Sequence, residues 1–173
     1  GISSFKAYLT YDDRLDDGAL FQVLRQAKED GIVIPAHCEN DGVVNYLRGW
    51  YKAQGLTQPI YHARSRPARC EAEAVSRLLH LAAMAGEAPV YVVHLSSAAG
   101  LAEVRKARAQ RQKGVGVEPC TQYLTLTEAA YADPQEGLKA VMSPPLRTQA
   151  DCDALWQGLQ DGVIDAVATD HRP

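Results

Sequence analysis

Apolar residues along this chain fall into two rhythms. Short, almost unbroken apolar runs recur at FKAYLT (5–10), IVIPAH (32–37), VYVVHL (90–95), VGVEP (115–119) and IDAVATD (164–170). Runs of this length predict β-strands, and the lack of polar alternation predicts burial on both faces, as in a parallel sheet covered by helices. Between the runs, apolar positions are three and four apart. Leu20, Val23, Leu24 and Ala27 make such a stripe, entered through Asp16 and Asp17 and stopped at Gly31. Acidic residues suit a helix start, and glycine suits a helix stop. Helical spacing continues through VVNYLRGWYKAQG (43–55), AAGLAEVRKARAQ (98–110) and DCDALWQGLQDG (151–162). It also predicts a long helix from about Glu71 to Gly86, with Val75, Leu78, Leu79 and Ala82 facing inward. The proline-marked TQPIYHARSRPAR (57–69) and the stretch leading to MSPPLRT (142–148) read as irregular connections. Strand and helix thus alternate along the whole chain, which predicts an α/β fold of βα units.

Composition excludes several functions. The 173 residues are 46% hydrophobic and 23% charged, ordinary for one globular unit with a real core. A net charge of −3 gives no nucleic-acid surface. The densest basic run, RKARAQRQK (105–113), falls late in a helix, where cations complement the dipole. No apolar run approaches the ~20 residues of a membrane span, and GISSFKAYLT lacks the organisation of an export signal. Cys38, Cys70, Cys120 and Cys152 form no C-x-x-C pair. Reduced thiols and a cytoplasmic location are therefore expected, and a zinc–thiolate site is not. Neither G-x-G-x-x-G nor a Walker motif occurs, which leaves a nucleotide site without support.

The chemistry collects at the strand ends. Lys6 lies in FKAYLT, His37 in IPAHCEN, His94 in YVVHLSS and Asp170 in VATDHRP. In a parallel βα barrel the C-terminal strand ends build the active site. Imidazole and carboxylate together suit zinc, manganese, iron or cobalt. Lys6 is the anomaly, because an ammonium repels cations and its burial in a strand is costly. His80, in the helical run RLLHLAA, His62, in IYHARSRP, and His171 are not assigned to metal.

The lysine strand, AHCEN, YVVHLSSA, CTQYL, SPPLR and TDHRP together resemble the amidohydrolase superfamily, in its dihydropyrimidinase and D-hydantoinase branch. The resemblance runs from Ser4 to Pro173. It implies a (β/α)₈ TIM-type barrel, of which this chain would carry approximately strands four to eight. It also implies that Lys6 is carboxylated by CO2 and that the carbamate bridges two divalent metal ions, zinc being expected. This modification turns a cation into an anion that the metals compensate. His37 and His94 would complete one metal site, and Asp170 would bind the other. A hydroxide shared between the metals would be the nucleophile, with Asp170 as general acid and base. Tyr11 would stabilise the oxyanion, and Ser143 would hold the imide edge of the ring. The implied reaction is hydrolysis of a dihydropyrimidine or hydantoin to an N-carbamoyl amino acid. The implied assembly is a homotetramer with a small-molecule cyclic amide as its partner.

The chain departs from the family in having no His-x-His pair, and a closed barrel typically needs ~250 residues. The expectation is a single segment of a barrel domain, residues 1–173, without the first barrel strands or the small β-domain, and inactive when isolated. Dihydroorotase and allantoinase are the alternatives within the class. Ser143-Pro144-Pro145-Leu146-Arg147 stands where dihydroorotases carry asparagine first. A dihydropyrimidinase-like scaffold protein without catalysis is the alternative from another class. It loses metal ligands that are retained here.

Overall fold

In the computed structural model, which describes residues 3–171, four parallel strands lie side by side in chain order. They are β1 (Ala7–Tyr8), β2 (Ile34–His37), β3 (Val90–Val92) and β4 (Val115–Val117). Ala7 pairs with Ala36, Ala36 with Val92, and Val92 with Val117, so the strand ends stay level across the sheet. Helices cross from each strand to the next: α1 (Asp17–Asp30), α2 (Asp41–Ala53), α4 (Ala68–Met84) and α5 (Ala98–Ala109). Parallel neighbours in sequential order with helical crossovers are an arc of a βα barrel.

The local signals explain the boundaries. Asp16 caps α1 by accepting from the Ala19 amide, and Gly31 ends it with a left-handed φ of 67°. Asn40, Ser97 and Thr148 cap α2, α5 and α7 (Gln149–Gln160) in the same way. Asn40 and Ser97 each stand three residues after a strand-end histidine, so the caps also fix short, rigid loops behind His37 and His94. The inward stripe of α4 is realised: Val75, Leu78, Leu79 and Ala82 are all buried. Facing it, α5 brings its helix axis close through Gly100. A Cβ there would stand 2.7 Å from Leu95 Cδ1 and 2.9 Å from Glu71 Oε2.

Three expectations change. The proline-marked connection contains a helix, α3 (Pro59–Arg64), because Pro59 at its first turn is compatible with helix entry. The stretch before MSPPLRT likewise folds as α6 (Thr121–Thr125) and two 3₁₀ turns, Glu128–Tyr131 and Glu136–Ala140. The fifth apolar run, 164–170, makes a single parallel bridge, Ala168 to Cys120, rather than a full strand. The Asp165 carboxylate takes the Val117 amide at 2.9 Å, so a side chain occupies a donor that a ladder would use. The run still continues the arc, through hydrogen bonds from Ala168 N to Pro119 O and from Thr121 N to Ala168 O, both 3.0 Å.

All four cysteines are free and buried. Among the described residues, no helix is long and apolar enough to cross a membrane.

Candidate active site

The strand ends converge. Lys6, Tyr8, Tyr11, Asp13, His37, His94, Ser143 and Asp170 line one open cavity of about 550 Å³. Every residue singled out from sequence is among them, although they span almost the full chain. A larger groove of about 710 Å³, between α3 and the 3₁₀ turns, contains no comparable cluster of titratable groups.

The two histidines form the floor. His37 closes β2 and is buried; its Nδ1 stands 2.9 Å from Nε2 of His94, and its Nε2 stands 2.9 Å from Glu39 Oε2. A carboxylate on one ring nitrogen keeps the proton there and leaves the other nitrogen as a lone-pair donor. His94 lies just beyond β3, equally buried, with no partner for Nδ1. Burial, followed by the charges of His37 and Lys6, holds its imidazole well below the usual histidine range.

The cavity lining includes strained backbone. Tyr11, His94 and Asp170 have φ of 77°, 41° and 48°. Non-glycine residues rarely adopt such values, and they concentrate where surrounding structure must aim a side chain. Asp41 enforces the Tyr11 turn: its Oδ1 accepts from Thr10 Oγ1 and the Tyr11 amide, and its Oδ2 pairs with Arg14 at 3.0 Å. Burial raises the Tyr11 phenol above its ordinary value, with the Ser143 hydroxyl opposing that shift.

The expectation for Lys6 needs correction. It precedes β1 and is exposed rather than buried in a strand, with Nζ 5.3 Å from the Tyr8 ring. The first run ladders with β2 through only two residues, Ala7 and Tyr8, so Lys6 lies outside the ladder. Its ammonium therefore carries no large desolvation cost. Asp170 is likewise exposed. His80 sits on the solvent side of α4, bonded to Ser76 O, and His171 lies outside the cavity lining.

Behind the cavity lies a buried polar scaffold that the pattern of apolar residues conceals. Arg66 stands 3.9 Å from Glu39 Oε1 and donates through Nε to Ser143 Oγ at 3.1 Å. Glu71 is fully buried and accepts from Ser96 N, Ser96 Oγ and Ser97 Oγ, clamping the turn after His94. Arg147 donates to Ser96 Oγ at 3.0 Å and to the Arg66 carbonyl, joining that turn to the Ser143 loop. The same loop is pinned by Tyr123, which donates to Pro144 O at 2.6 Å, and by Tyr131, which accepts from the Leu146 amide at 2.9 Å. The sequence did hold one clue: Glu39 is two residues from His37, and an extended chain puts such positions on one side.

Among the described residues, no three His, Cys, Asp or Glu side chains alone form a metal cluster. Lys6 is the further side chain at this cavity that would have to join the histidines in holding a cation. As an ammonium, Lys6 does not fit. As a carbamate it does, beside two imidazole nitrogens that already face one point, one of them held by a carboxylate. Asp170 adds one further oxygen donor at the same cavity.

No family model matches the chain. Curated relatives do. A D-phenylhydantoinase of Escherichia coli O1:K1 / APEC is 51% identical over 171 residues, covering 99% of this chain and 37% of the relative. Among solved structures, the dihydropyrimidinase from Brevibacillus agri NCHU1002 superposes with a TM-score of 0.96 at 41% identity, covering 99% of this chain and 38% of that one. The D-hydantoinase (dihydropyrimidinase) from Thermus sp. gives 0.95 at 39% identity, covering 100% and 38%. The chain thus spans little more than a third of the length of these relatives, and over that span it is similar in both sequence and fold to dihydropyrimidinases and hydantoinases.

Proposed function

We propose that this chain is the metal-bearing part of a barrel enzyme that hydrolyses the cyclic amide bond of dihydropyrimidines or hydantoins to give N-carbamoyl amino acids. The observation that carries the reading is the meeting of Lys6, His37, His94 and Asp170 in one cavity, from four separate βα units. Lys6 reacts with CO2 to form a carbamate, losing a proton. The product would offer two oxygens to two divalent ions, zinc by expectation. His37 and His94 would complete the donors of one ion, and Asp170 would serve the other. Such ions, when bound, supply Lewis-acid polarisation of a carbonyl and bring the pKa of water from about 15.7 towards ~7.

The remaining roles belong to the chain itself. Asp170 accepts the proton of the attacking water and returns it to the departing ring nitrogen, so that one C–N bond breaks as one water is added. Tyr11, kept protonated by its half-buried setting, donates to the oxyanion that develops on the attacked carbonyl. Ser143, beside Tyr11, holds the imide edge of the ring.

The chain would form one segment of the barrel domain, its remaining strands and small β-domain contributed by further sequence. The complete enzyme would be a homotetramer working in the cytoplasm, where its four unpaired thiols stay reduced. Purified complete enzyme, loaded with zinc, should open hydantoin or dihydrouracil faster than dihydroorotate or allantoin. Turnover of allantoin alone would overturn the substrate class, and absence of bound metal together with absence of all turnover would point to a scaffold.

A further inference from the structure

The loop carrying Ser143 is surrounded by hydrogen-bond donors, and this settles which way its hydroxyl proton points. Arg66 can only donate, and its Nε–H is directed at Ser143 Oγ at 3.1 Å. His62 stands 3.4 Å away through Nε2, and that nitrogen also lies 2.7 Å from the Met142 carbonyl. A carbonyl only accepts, so His62 Nε2 carries the proton and is a donor as well. Ser143 Oγ therefore faces two N–H groups on its buried side and has no acceptor there for its own proton. The remaining direction is into the cavity, towards the Tyr11 oxygen or a carbonyl of a bound ring.

Arg66 is itself buried, and the buried Glu39 carboxylate that holds His37 lies 3.9 Å from its Nε as its nearby counter-charge. Resting on the functional reading above, we propose that Arg66, anchored by Glu39, is a positioning residue that makes Ser143 an obligate hydrogen-bond donor towards the substrate. One buried carboxylate then sets the polarity of both walls: His37 presents a lone pair, and Ser143 presents a proton. A ring carbonyl is recognised at Ser143, while a ring N–H directed at the same point is rejected.

A double-mutant cycle on the complete, zinc-saturated enzyme tests this, with kcat and KM for hydantoin and dihydrouracil measured separately. Arg66→Met should raise KM about tenfold, the cost of one misdirected hydrogen bond, and leave kcat and bound metal nearly unchanged. Ser143→Ala should raise KM at least as much. The double variant should match Ser143→Ala, because Arg66 acts only through that hydroxyl. Arg66→Lys keeps the charge beside Glu39 and should restore part of the loss. If Arg66→Met does not fold, Arg66→Lys carries the same cycle. Effects that multiply in the double variant, or an unchanged KM in folded Arg66→Met, would overturn the proposal. Failure of the wild-type enzyme to open any cyclic amide would instead overturn the functional reading on which it rests.

Discussion

Replacing Glu71 should be among the most damaging single changes in the chain, although Glu71 does not line the cavity. Its carboxylate accepts from Ser96 N at 2.9 Å, Ser96 Oγ at 2.8 Å and Ser97 Oγ, and Arg147 is its neighbouring cation. Glu71→Ala leaves three buried donors without an acceptor, each worth about 1–3 kcal/mol in isolation. It also leaves the Arg147 charge uncompensated. Local relaxation recovers part of this, so the expected loss is about 3–5 kcal/mol, as when one partner of a buried pair is removed. Glu71→Gln keeps the shape and one carbonyl but not the charge, and should cost about 1–2 kcal/mol. Removing both partners in Glu71→Leu/Arg147→Met should cost less than the two single changes together, since no lone charge then remains buried. Urea unfolding, followed by the fluorescence of Trp50 and Trp156, measures all of these. A cost under about 1 kcal/mol for Glu71→Ala, or single effects that simply add, would refute the assignment of Glu71 as the anchor of the His94 turn.

Two glycines in helices should respond with opposite signs. Gly49→Ala in α2 meets no atom within 4 Å and should stabilise by about 0.5–1 kcal/mol, whereas Gly100→Ala drives a methyl into Leu95 and Glu71 and should destabilise by about 1–3 kcal/mol. Urea midpoints decide both. In the complete enzyme, Lys6→Arg cannot form a carbamate, so bound metal and turnover should each fall at least about a hundredfold; elemental analysis showing full metal content would contradict the donor set. Burial holds His62 below the usual 6.5, so the unfolded chain takes up its proton at higher pH than the folded one. Stability is then fully present above that value and declines as pH falls through it, with His94 adding the same sign. His62→Gln should flatten part of this decline in unfolding titrations between pH ~7.5 and ~5.5, and an unchanged slope would exclude His62 as a contributor.

The elements legible in the sequence are those written in local patterns. The stripe of α4 and the caps of α1 depend on residues three or four apart, and each lies where periodicity places it. The strand ends were legible too, because a polar residue closing an apolar run contradicts its surroundings. What escaped depends on distance along the chain. Arg66 with Ser143, and Glu71 with Arg147, are pairs about 77 residues apart or close to it, and nothing local distinguishes a buried charge from a solvated one. Lys6 was misjudged for the converse reason: an apolar run says strand, but not at which residue its ladder begins, here Ala7. The short α3 was hidden by the proline that begins it.

The four cysteines give the chain its own gauge of breathing. Burial pushes the Cys120 thiol up to about 12, and the other three upwards as well, so at neutral pH almost none is present as thiolate. Alkylating reagents and soft heavy-metal ions attack the thiolate, and they must first be admitted. Each thiol therefore reacts only as often as its own layer parts: Cys38 behind β2, Cys70 in the first turn of α4, Cys120 after β4 and Cys152 in α7. Timed labelling would rank those layers by how readily each comes open.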